Sequence, residues 1–442
     1  MRIGIYPNLN GHAGGVYQYN QSVLDALNVW SVNGCEDQFV LFWNDAQHPC
    51  LIPLKGSRWA IRRREKRRLR YEISNRILHA LGEGPHREAL RWIRRELSSL
   101  NSEPVRKLPD PDIVQYRTDL RKRFLQSKVD FLLYPQPTSV SFESGLPYVM
   151  AVHDLQHRLQ PEFPEVSADG EWERREYLFR NGCRYATLIL AESEVGKEDL
   201  LGFYGRYGIT EDRIKVLPYL PPPYIAAEVS AAERQRVRDA YDLPERYLFY
   251  PAQFWPHKNH RRIVEALHLL KHGSKQEIPI VFCGSHEGAI REKNFCEVMS
   301  LSRQLGVEKQ IFYLGYVADE DISSIYAQAA GLVMPTFFGP TNIPILEAWA
   351  FGCPVLTSDI RGVREQAGDA AILVDPRSSE SIANGIHRLW VDKSLACFLV
   401  GSGRQQLAGY TTNDFRRRLT EIIAEAKTRV RAQQCRSANP QV

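Results

Sequence analysis

Residues 331–354 read GLVMPTFFGPTNIPILEAWAFGCP, and this stretch predicts how the rest of the chain folds. The apolar run Leu332–Met334 has the length and composition of a buried strand. A loop rich in glycine and proline follows, and its Thr-Asn pair can cap a helix whose first turn tolerates Pro344. Gly352 and Pro354 end that helix, and the chain resumes as a strand. The stretch therefore predicts the strand–loop–helix–strand repeat of an open α/β sheet.

Glu347 stands early in this predicted helix, near the edge at which open α/β sheets bind their ligands. Helix N-termini at that edge attract phosphate, and a carboxylate can accept two hydrogen bonds from the vicinal diol of a ribose or a sugar. Taken alone, a glutamate at this position is equally well explained by its favourable interaction with the helix dipole.

Together these residues resemble the donor-binding motif of the family 4 retaining glycosyltransferases. That family carries two glutamates in the motif, and Glu347 matches the second. The first falls at position 339, where this chain has Gly339. The run Gly-Pro-Thr-Asn-Ile-Pro is similar to that of one branch of the family. The resemblance implies that Gly339, Thr341, Asn342 and Ile343 contact a nucleotide sugar donor, the last two through backbone N–H groups.

The composition is that of an ordinary globular protein, with 442 residues, 43% hydrophobic and 25% charged, and a formal net charge of +5. No apolar run reaches the roughly 18 residues of a membrane-spanning helix, and the N-terminus lacks the pattern of a signal peptide. The eight cysteines are scattered, without a Cys-x-x-Cys pair. They favour reduced thiols over a disulfide framework or a zinc site, so we expect a cytoplasmic protein.

Two stretches in the first half of the chain follow predicted strands. Gly14 and Gly15 lie after the strand at residues 3–6, where a glycine turn lets backbone N–H groups approach a phosphate; an ordinary flexible turn has the same composition. His153 ends the apolar run Tyr148–Val152 and could bind a sugar hydroxyl, although single histidines are more often structural. The family resemblance implies that Gly14 and Gly15 face the donor diphosphate and that His153 lies near the transferred sugar.

Three positions in the second half complete the resemblance. The family uses an arginine and a lysine after its corresponding strand, and Lys258 matches the lysine. Gln253 stands at the arginine position and keeps only a hydrogen-bond donor. A lysine is a point charge suited to a phosphate that gains negative charge as it leaves. Val317 matches the turn that lies beside the nucleobase in the family.

Residues 58–123 interrupt the α/β pattern with 19 Lys and Arg against 9 Asp and Glu, a net charge of +10 that leaves −5 on the rest of the chain. Apolar residues, including Trp59 and Ile61, are interleaved with arginines as in an amphipathic helix. We therefore expect a basic helical insertion over about residues 56–125 that contacts an anionic membrane peripherally at its inner face. Nucleic acid is a competing partner but is not expected, because stacking aromatics are not evident. A charged insertion that is simply exposed to solvent explains the pattern as well as the membrane and nucleic-acid interpretations combined.

The resemblance implies an α/β protein of the GT-B class, in which two Rossmann-like domains face each other across a cleft. We place the first, acceptor-side domain at residues 1–220 and the second, nucleotide-sugar-binding domain at residues 221–411. A helix at 412–432 is expected to cross back onto the first domain, and residues 433–442 are expected to form a disordered tail.

The expected function is that of a retaining hexosyltransferase of polysaccharide biosynthesis. It would move a sugar from a nucleotide diphosphate sugar to a saccharide or lipid-linked saccharide, without a metal or cofactor. The predicted catalytic residues are His153, Lys258 and Glu347, with Lys258 at the diphosphate and Glu347 at the hydroxyls of the ribose. No carboxylate pair is arranged as in glycosidases, so the departing phosphate is expected to take the acceptor proton. The alternative is a non-catalytic relative that binds a sugar nucleotide or a partner.

Overall fold

The computed structural model describes residues 1–11, 14–45, 48–54, 56–64, 110–222 and 229–438, with side chains up to residue 435. The described chain forms two parallel β-sheets flanked by helices, which confirms the predicted pair of Rossmann-like domains. The strands of the first sheet are β1 (Arg2–Ile5), β2 (Gln38–Phe42), β3 (Trp59–Arg62), β4 (Phe131–Tyr134), β5 (Tyr148–Ala151), β6 (Leu188–Ala191) and β7 (Ile214–Val216). Their order across the sheet is β3-β2-β1-β4-β5-β6-β7.

Helices connect these strands over both faces of the first sheet. They are α1 (Gly15–Val32), α2 (Thr118–Gln126), α3 (Val140–Glu143), α4 (Gln156–Leu159), α5 (Pro164–Ser167), α6 (Glu171–Tyr185) and α7 (Glu194–Tyr204). Helices α4 and α5 lie in the long connection between β5 and α6, which extends from the carboxyl end of β5.

The second sheet is built in the same way from the other half of the chain. Its strands are β8 (Leu248–Pro251), β9 (Ile280–Cys283), β10 (Ile311–Tyr313), β11 (Gly331–Met334), β12 (Val355–Ser358) and β13 (Ile372–Val374), in the order β10-β9-β8-β11-β12-β13. Its helices are α8 (Ala231–Ala240), α9 (His260–Gly273), α10 (Ala289–Gln304), α11 (Asp319–Gln328), α12 (Ile343–Ala350), α13 (Arg361–Ala367), α14 (Ser379–Val391) and α15 (Lys393–Ala408).

Short apolar strands account for this architecture. Every residue of β4, β5, β6, β9, β11 and β12 is buried, as expected when helices cover both faces of a parallel sheet. Each sheet therefore carries core on both sides, and the polar residues that follow each strand collect at its carboxyl edge. The quoted stretch folds as predicted into β11, a loop, α12 and β12, with Pro344 in the first turn of the helix.

The start of the basic segment is a strand, so the prediction of an amphipathic helix there is wrong. Residues Trp59–Arg62 pair in parallel with β2 as the edge strand of the first sheet. The Trp59 ring stacks on Phe39 at 4.8 Å, and its Nε1 donates to Ser31 Oγ over 3.0 Å. Trp59 is thus half-buried and packs against the core of the first domain. Most of the predicted insertion, residues 65–109, lies outside the described residues.

The last helix, α16 (Thr412–Ala438), crosses back to the first domain, as the resemblance implied. Its apolar residues Phe415, Leu419 and Ile423 pack into the core that α1 covers. The helix continues to Ala438, so the tail predicted to be disordered from Gln433 onward is helical in its first part; residues 439–442 lie outside the described residues. Within the described chain, no helix combines the length and apolar character needed to cross a membrane.

Candidate functional site

All predicted site residues lie beyond the carboxyl ends of strands, where parallel sheets place their ligand sites. In the first domain they follow β1 and β5, and in the second they follow β8, β10 and β11. The predicted residues are Gly14, Gly15, His153, Gln253, Lys258, Val317, Gly339, Thr341, Asn342, Ile343 and Glu347. The structure brings several of them together across the two domains, whereas their assignment to a donor stays a prediction.

The start of α12 contacts the first domain at two points. A Cβ atom on Gly15 would lie 3.1 Å from Cδ1 of Ile343, so the missing side chain lets the two segments approach. Thr341 Oγ1 donates to Glu192 Oε2 over 2.6 Å. Glu192 also hydrogen-bonds His153 through its other oxygen. The predicted donor loop of one domain therefore meets the glycine turn of the other and is linked to its histidine through Glu192.

Glu192 is a residue that the sequence reasoning missed. It follows directly after β6 and its residue is almost fully buried, and this burial raises the pKa of the carboxyl. His153 and Thr341 counteract the rise by hydrogen bonding to the carboxylate. A glutamate at the end of an apolar strand was the available signal, because the carboxyl ends of neighbouring parallel strands meet at one edge of a sheet.

His153 is enclosed by protein groups. Its Nε2 lies 3.2 Å from the carbonyl oxygen of Pro135, and its Nδ1 contacts Glu192 and, at 3.0 Å, the hydroxyl of Tyr219. The ring of Tyr19 packs edge-on against it at 5.1 Å. Because both ring nitrogens have partners, a sugar hydroxyl can bind His153 in this arrangement only by replacing one of them.

Lys258 is a cation without an anionic partner in the described chain. It ends a short turn after β8, and no described carboxylate lies within 4 Å of its ammonium group. Burial lowers the pKa of Lys258 to about 8, although Asp154 and Glu165 of the opposite domain counteract the shift. A desolvated ammonium beside the cleft is suited to an anionic ligand.

Gln253 brings an arginine to the same loop. Its Oε1 accepts hydrogen bonds from Nε1 of Trp255 at 3.0 Å and from Nη1 of Arg291 at 2.8 Å. The guanidinium of Arg291 also lies over the Trp255 ring, 4.6 Å from its centroid. Arg291 is in the first turn of α10, far along the chain from Gln253, so sequence spacing gave no signal for it. Position 253 is a glutamine where the family has an arginine, but Arg291 still places a guanidinium beside this loop.

The structure explains why position 339 is a glycine. Gly339 has φ 145°, a backbone conformation that residues with a side chain rarely adopt. A Cβ atom there would also lie 2.5 Å from Oδ1 of Asn342. The backbone N–H of Asn342 donates to Oε1 of Gln366, whose amide nitrogen donates back to the Asn342 carbonyl, each over 2.8 Å. In this structure Gln366 takes the Asn342 N–H, so a donor could reach that group only by displacing Gln366, and the assignment of Asn342 to the donor stays a prediction.

Glu347 lies in the middle of α12 rather than at its start, and its residue is only 4% exposed. Tyr326 donates its hydroxyl to Glu347 Oε2 over 2.6 Å, which holds the carboxylate against α11. Val317 is buried two residues after Gly315, whose φ of 72° makes the turn that follows β10. Among the described residues, no three His, Cys, Asp or Glu side chains are grouped as metal ligands would be.

Comparison with known proteins gives this geometry a context. Residues 232–405, nearly all of the second domain, match the family model of glycosyl transferases group 1. O-antigen chain mannosyltransferase B of Escherichia coli is 32% identical over 211 residues, which cover 47% of this chain and 53% of the relative. D-inositol 3-phosphate glycosyltransferase of Salinispora tropica is 22% identical over 260 residues and 53% of its length. The chain thus spans about half the length of these curated relatives.

Solved structures match over nearly the whole chain. HepE of Anabaena in complex with UDP and glucose superposes with a TM-score of 0.65 at 16% identity, covering 96% of this chain and 99% of that one. A glycosyltransferase of Rickettsia africae superposes with a TM-score of 0.63 at 15% identity, covering 96% and 98%. Both likenesses concern the fold. The chain has the GT-B fold, and residues 232–405 of its second domain are similar to the group 1 glycosyl transferases.

Proposed function

We propose that the protein transfers a hexose from a nucleoside diphosphate sugar to a saccharide or a lipid-linked saccharide, with retention at the anomeric carbon. The observation that carries the proposal is the position of Lys258. Lys258 is half-buried at the carboxyl edge of the sheet of the second domain. No carboxylate of the described chain lies within 4 Å of its ammonium group. An uncompensated cation there suits a diphosphate whose charge increases as it departs.

The contacts around the cleft support the same reaction. The donor loop of the second domain reaches Gly15 and the Glu192–His153 pair of the first, so one ligand bound between them touches both domains. Positioning two sugars against each other is itself a large part of such catalysis. In the proposed front-face reaction the bond from the anomeric carbon to the diphosphate breaks as the acceptor oxygen attacks the same face. The departing phosphate takes the proton of that hydroxyl.

The relatives suggest which donors to test first. The Escherichia coli relative is a mannosyltransferase named for the O-antigen chain, and the Anabaena structure contains UDP and glucose. We therefore propose a role in polysaccharide synthesis with an acceptor on a growing saccharide. The basic segment supports a peripheral membrane contact for such an acceptor, through its net charge of +10.

The test starts from a thermal-shift panel of GDP-mannose, UDP-glucose and the free nucleotides, since a bound ligand raises the apparent Tm. The donor that shifts the Tm is then incubated with saccharide acceptors, and proton NMR of the first product reads the anomeric configuration. Transfer with retention is the expected result. Binding without transfer or donor hydrolysis would favour the non-catalytic relative, and inversion would refute the front-face reaction.

A further inference from the structure

The segment that contains α4 and α5 carries two buried acceptor atoms for which the described part of the chain offers no donor. The side chain of Glu165 is only 5% exposed, yet its Oε2 has no hydrogen-bond partner among the described residues. Oε1 of Gln160 is likewise buried without a described partner. An unsatisfied buried acceptor is costly, and a buried carboxylate oxygen more so, which makes a ligand with hydroxyl groups the natural complement.

Contacts on either side fix where these atoms lie. Oε1 of Glu165 accepts from the backbone N–H of His257 at 3.1 Å and from its Nδ1 at 2.6 Å. Nε2 of Gln160 donates to the carbonyl of Phe337 over 2.8 Å. Because the amide nitrogen must face this carbonyl, the atom without a described partner is the oxygen Oε1. Phe163, between them, packs on Phe337 at 5.5 Å. The segment of the first domain thus lies directly on the two loops of the second domain that contain Lys258 and Gly339.

The charges suit a hydroxyl rather than an anion. Burial would raise the pKa of Glu165, but the hydrogen bonds from His257 hold it below its usual value, so the carboxylate is ionised near neutral pH. Burial lowers the pKa of His257 to about 4, so the imidazole is neutral and donates from Nδ1. An anionic oxygen backed by a neutral ring accepts strongly from a hydroxyl and repels a phosphate.

We propose that Glu165 is a sugar-binding residue whose Oε2 accepts a hydrogen bond from a hydroxyl of the sugar in the cleft. The proposal rests on the proposed function and adds to it a side chain from the first domain. Since Gly339 brings no side chain to its loop, the carboxylate on the loop that contains Lys258 comes from Glu165 of the opposite domain, through its hydrogen bonds with His257. The hydroxyl belongs either to the transferred sugar or to the acceptor sugar, and the two are separated by experiment.

The test compares Glu165→Gln with wild type by calorimetry, using the nucleotide sugar chosen by the thermal-shift panel and its free nucleoside diphosphate. The amide keeps the shape and an oxygen toward His257, but it places an NH₂ where Oε2 accepted. If the hydroxyl is on the donor, affinity for the nucleotide sugar falls about tenfold to a hundredfold while affinity for the nucleotide changes less than about twofold. If it is on the acceptor, only the KM for the acceptor rises, by a similar factor.

Two further variants separate sugar binding from a contact that merely holds the domains together. His257→Phe removes the Nδ1 donor but leaves the Glu165 carboxylate, so the affinity ratio of nucleotide sugar to nucleotide should stay as in wild type. Glu165→Asp keeps the charge and should recover part of the loss. The proposal is overturned if Glu165→Gln leaves both the ratio and the acceptor KM unchanged, or if His257→Phe reproduces its effect. A wild-type protein that binds no nucleotide sugar would instead refute the proposed function.

Discussion

The pH dependence of Lys258 gives a direct test of its role. Its pKa of about 8 implies that roughly nine tenths of the side chains are charged at about pH 7 and roughly one tenth at about pH 9. If the cation stabilises the departing diphosphate, kcat/KM of the free enzyme should fall about tenfold over that interval. The profile should fall toward alkaline pH, because the protonated form is the active one.

Replacing the side chain sets the size of the effect. Loss of a charge at a developing oxyanion typically costs about 2.7–4 kcal/mol, or a factor of about 10²–10³ in kcat. Lys258→Ala should therefore lose that much at pH 7 and show no decline from pH 7 to 9. Lys258→Arg, which stays charged throughout, should retain part of the activity and also give a flat profile.

Stability supplies an independent control, because its sign is opposite. The folded-state pKa of Lys258 lies below that of the unfolded chain, so the unfolded state binds more protons between about pH 8 and the usual lysine pKa of 10.5. Relative to Lys258→Ala, wild type should become more stable as pH rises through this window while its activity falls. A flat wild-type rate profile, or an alanine variant within about tenfold of wild type, would refute the assignment.

Three more outcomes are expected. Glu347→Gln should weaken nucleotide binding while the fold persists, and calorimetry with the free nucleotide measures the change in affinity. The matched control for a purely structural effect is Tyr326→Phe, which removes the hydroxyl bound to Glu347. Gly339→Glu should lower both Tm and activity rather than raise activity, and Gly339→Ala should do the same, because the strain at φ 145° needs only a Cβ atom. Changing the four arginines at 62, 63, 67 and 68 to glutamine should reduce sedimentation with anionic liposomes at low salt, each basic residue contributing about 1 kcal/mol, and leave nucleotide binding unchanged.

The sheets could be predicted because parallel strands that are buried on both faces consist mainly of apolar residues. Runs such as Phe131–Tyr134 and Leu332–Met334 are apolar throughout, as is typical of strands that helices cover on both faces. The prediction of a helix at Trp59–Arg62 failed because the strand lies at the sheet edge. Trp59 and Ile61 are its apolar residues, and the arginines around them gave the stretch the composition of a basic helix.

The site was predictable only within each domain. Lys258 and Glu347 follow single strands, so their positions could be inferred from local pattern and family resemblance. Glu192, Arg291 and Glu165 act through contacts with residues that are far away in sequence, and no spacing rule relates them. The hydrogen bond from the Asn342 backbone to Gln366 was unpredictable for the same reason, since Gln366 reaches it from α13.

The N-termini of the helices around the cleft indicate where a diphosphate can bind. The N-terminus of α7, which would attract an anion, is already filled by Glu365 of the second domain, whose oxygens accept from the backbone N–H groups of Glu194 and Val195 at 2.9 Å each.

At α12, Gln366 takes the N–H of Asn342. The N-terminus of α1 is open, because its N-cap is Gly14, no described side chain caps it, and its first turn has no acidic residue. The N-terminus of α9, which begins two residues after Lys258, has no described side-chain cap either. Across the cleft, Gly15 at the start of α1 lies against Ile343 at the start of α12. A donor diphosphate between the domains would therefore be balanced by the dipole of α1 from the first domain and by the charge of Lys258 from the second, so that neither domain alone provides the whole site.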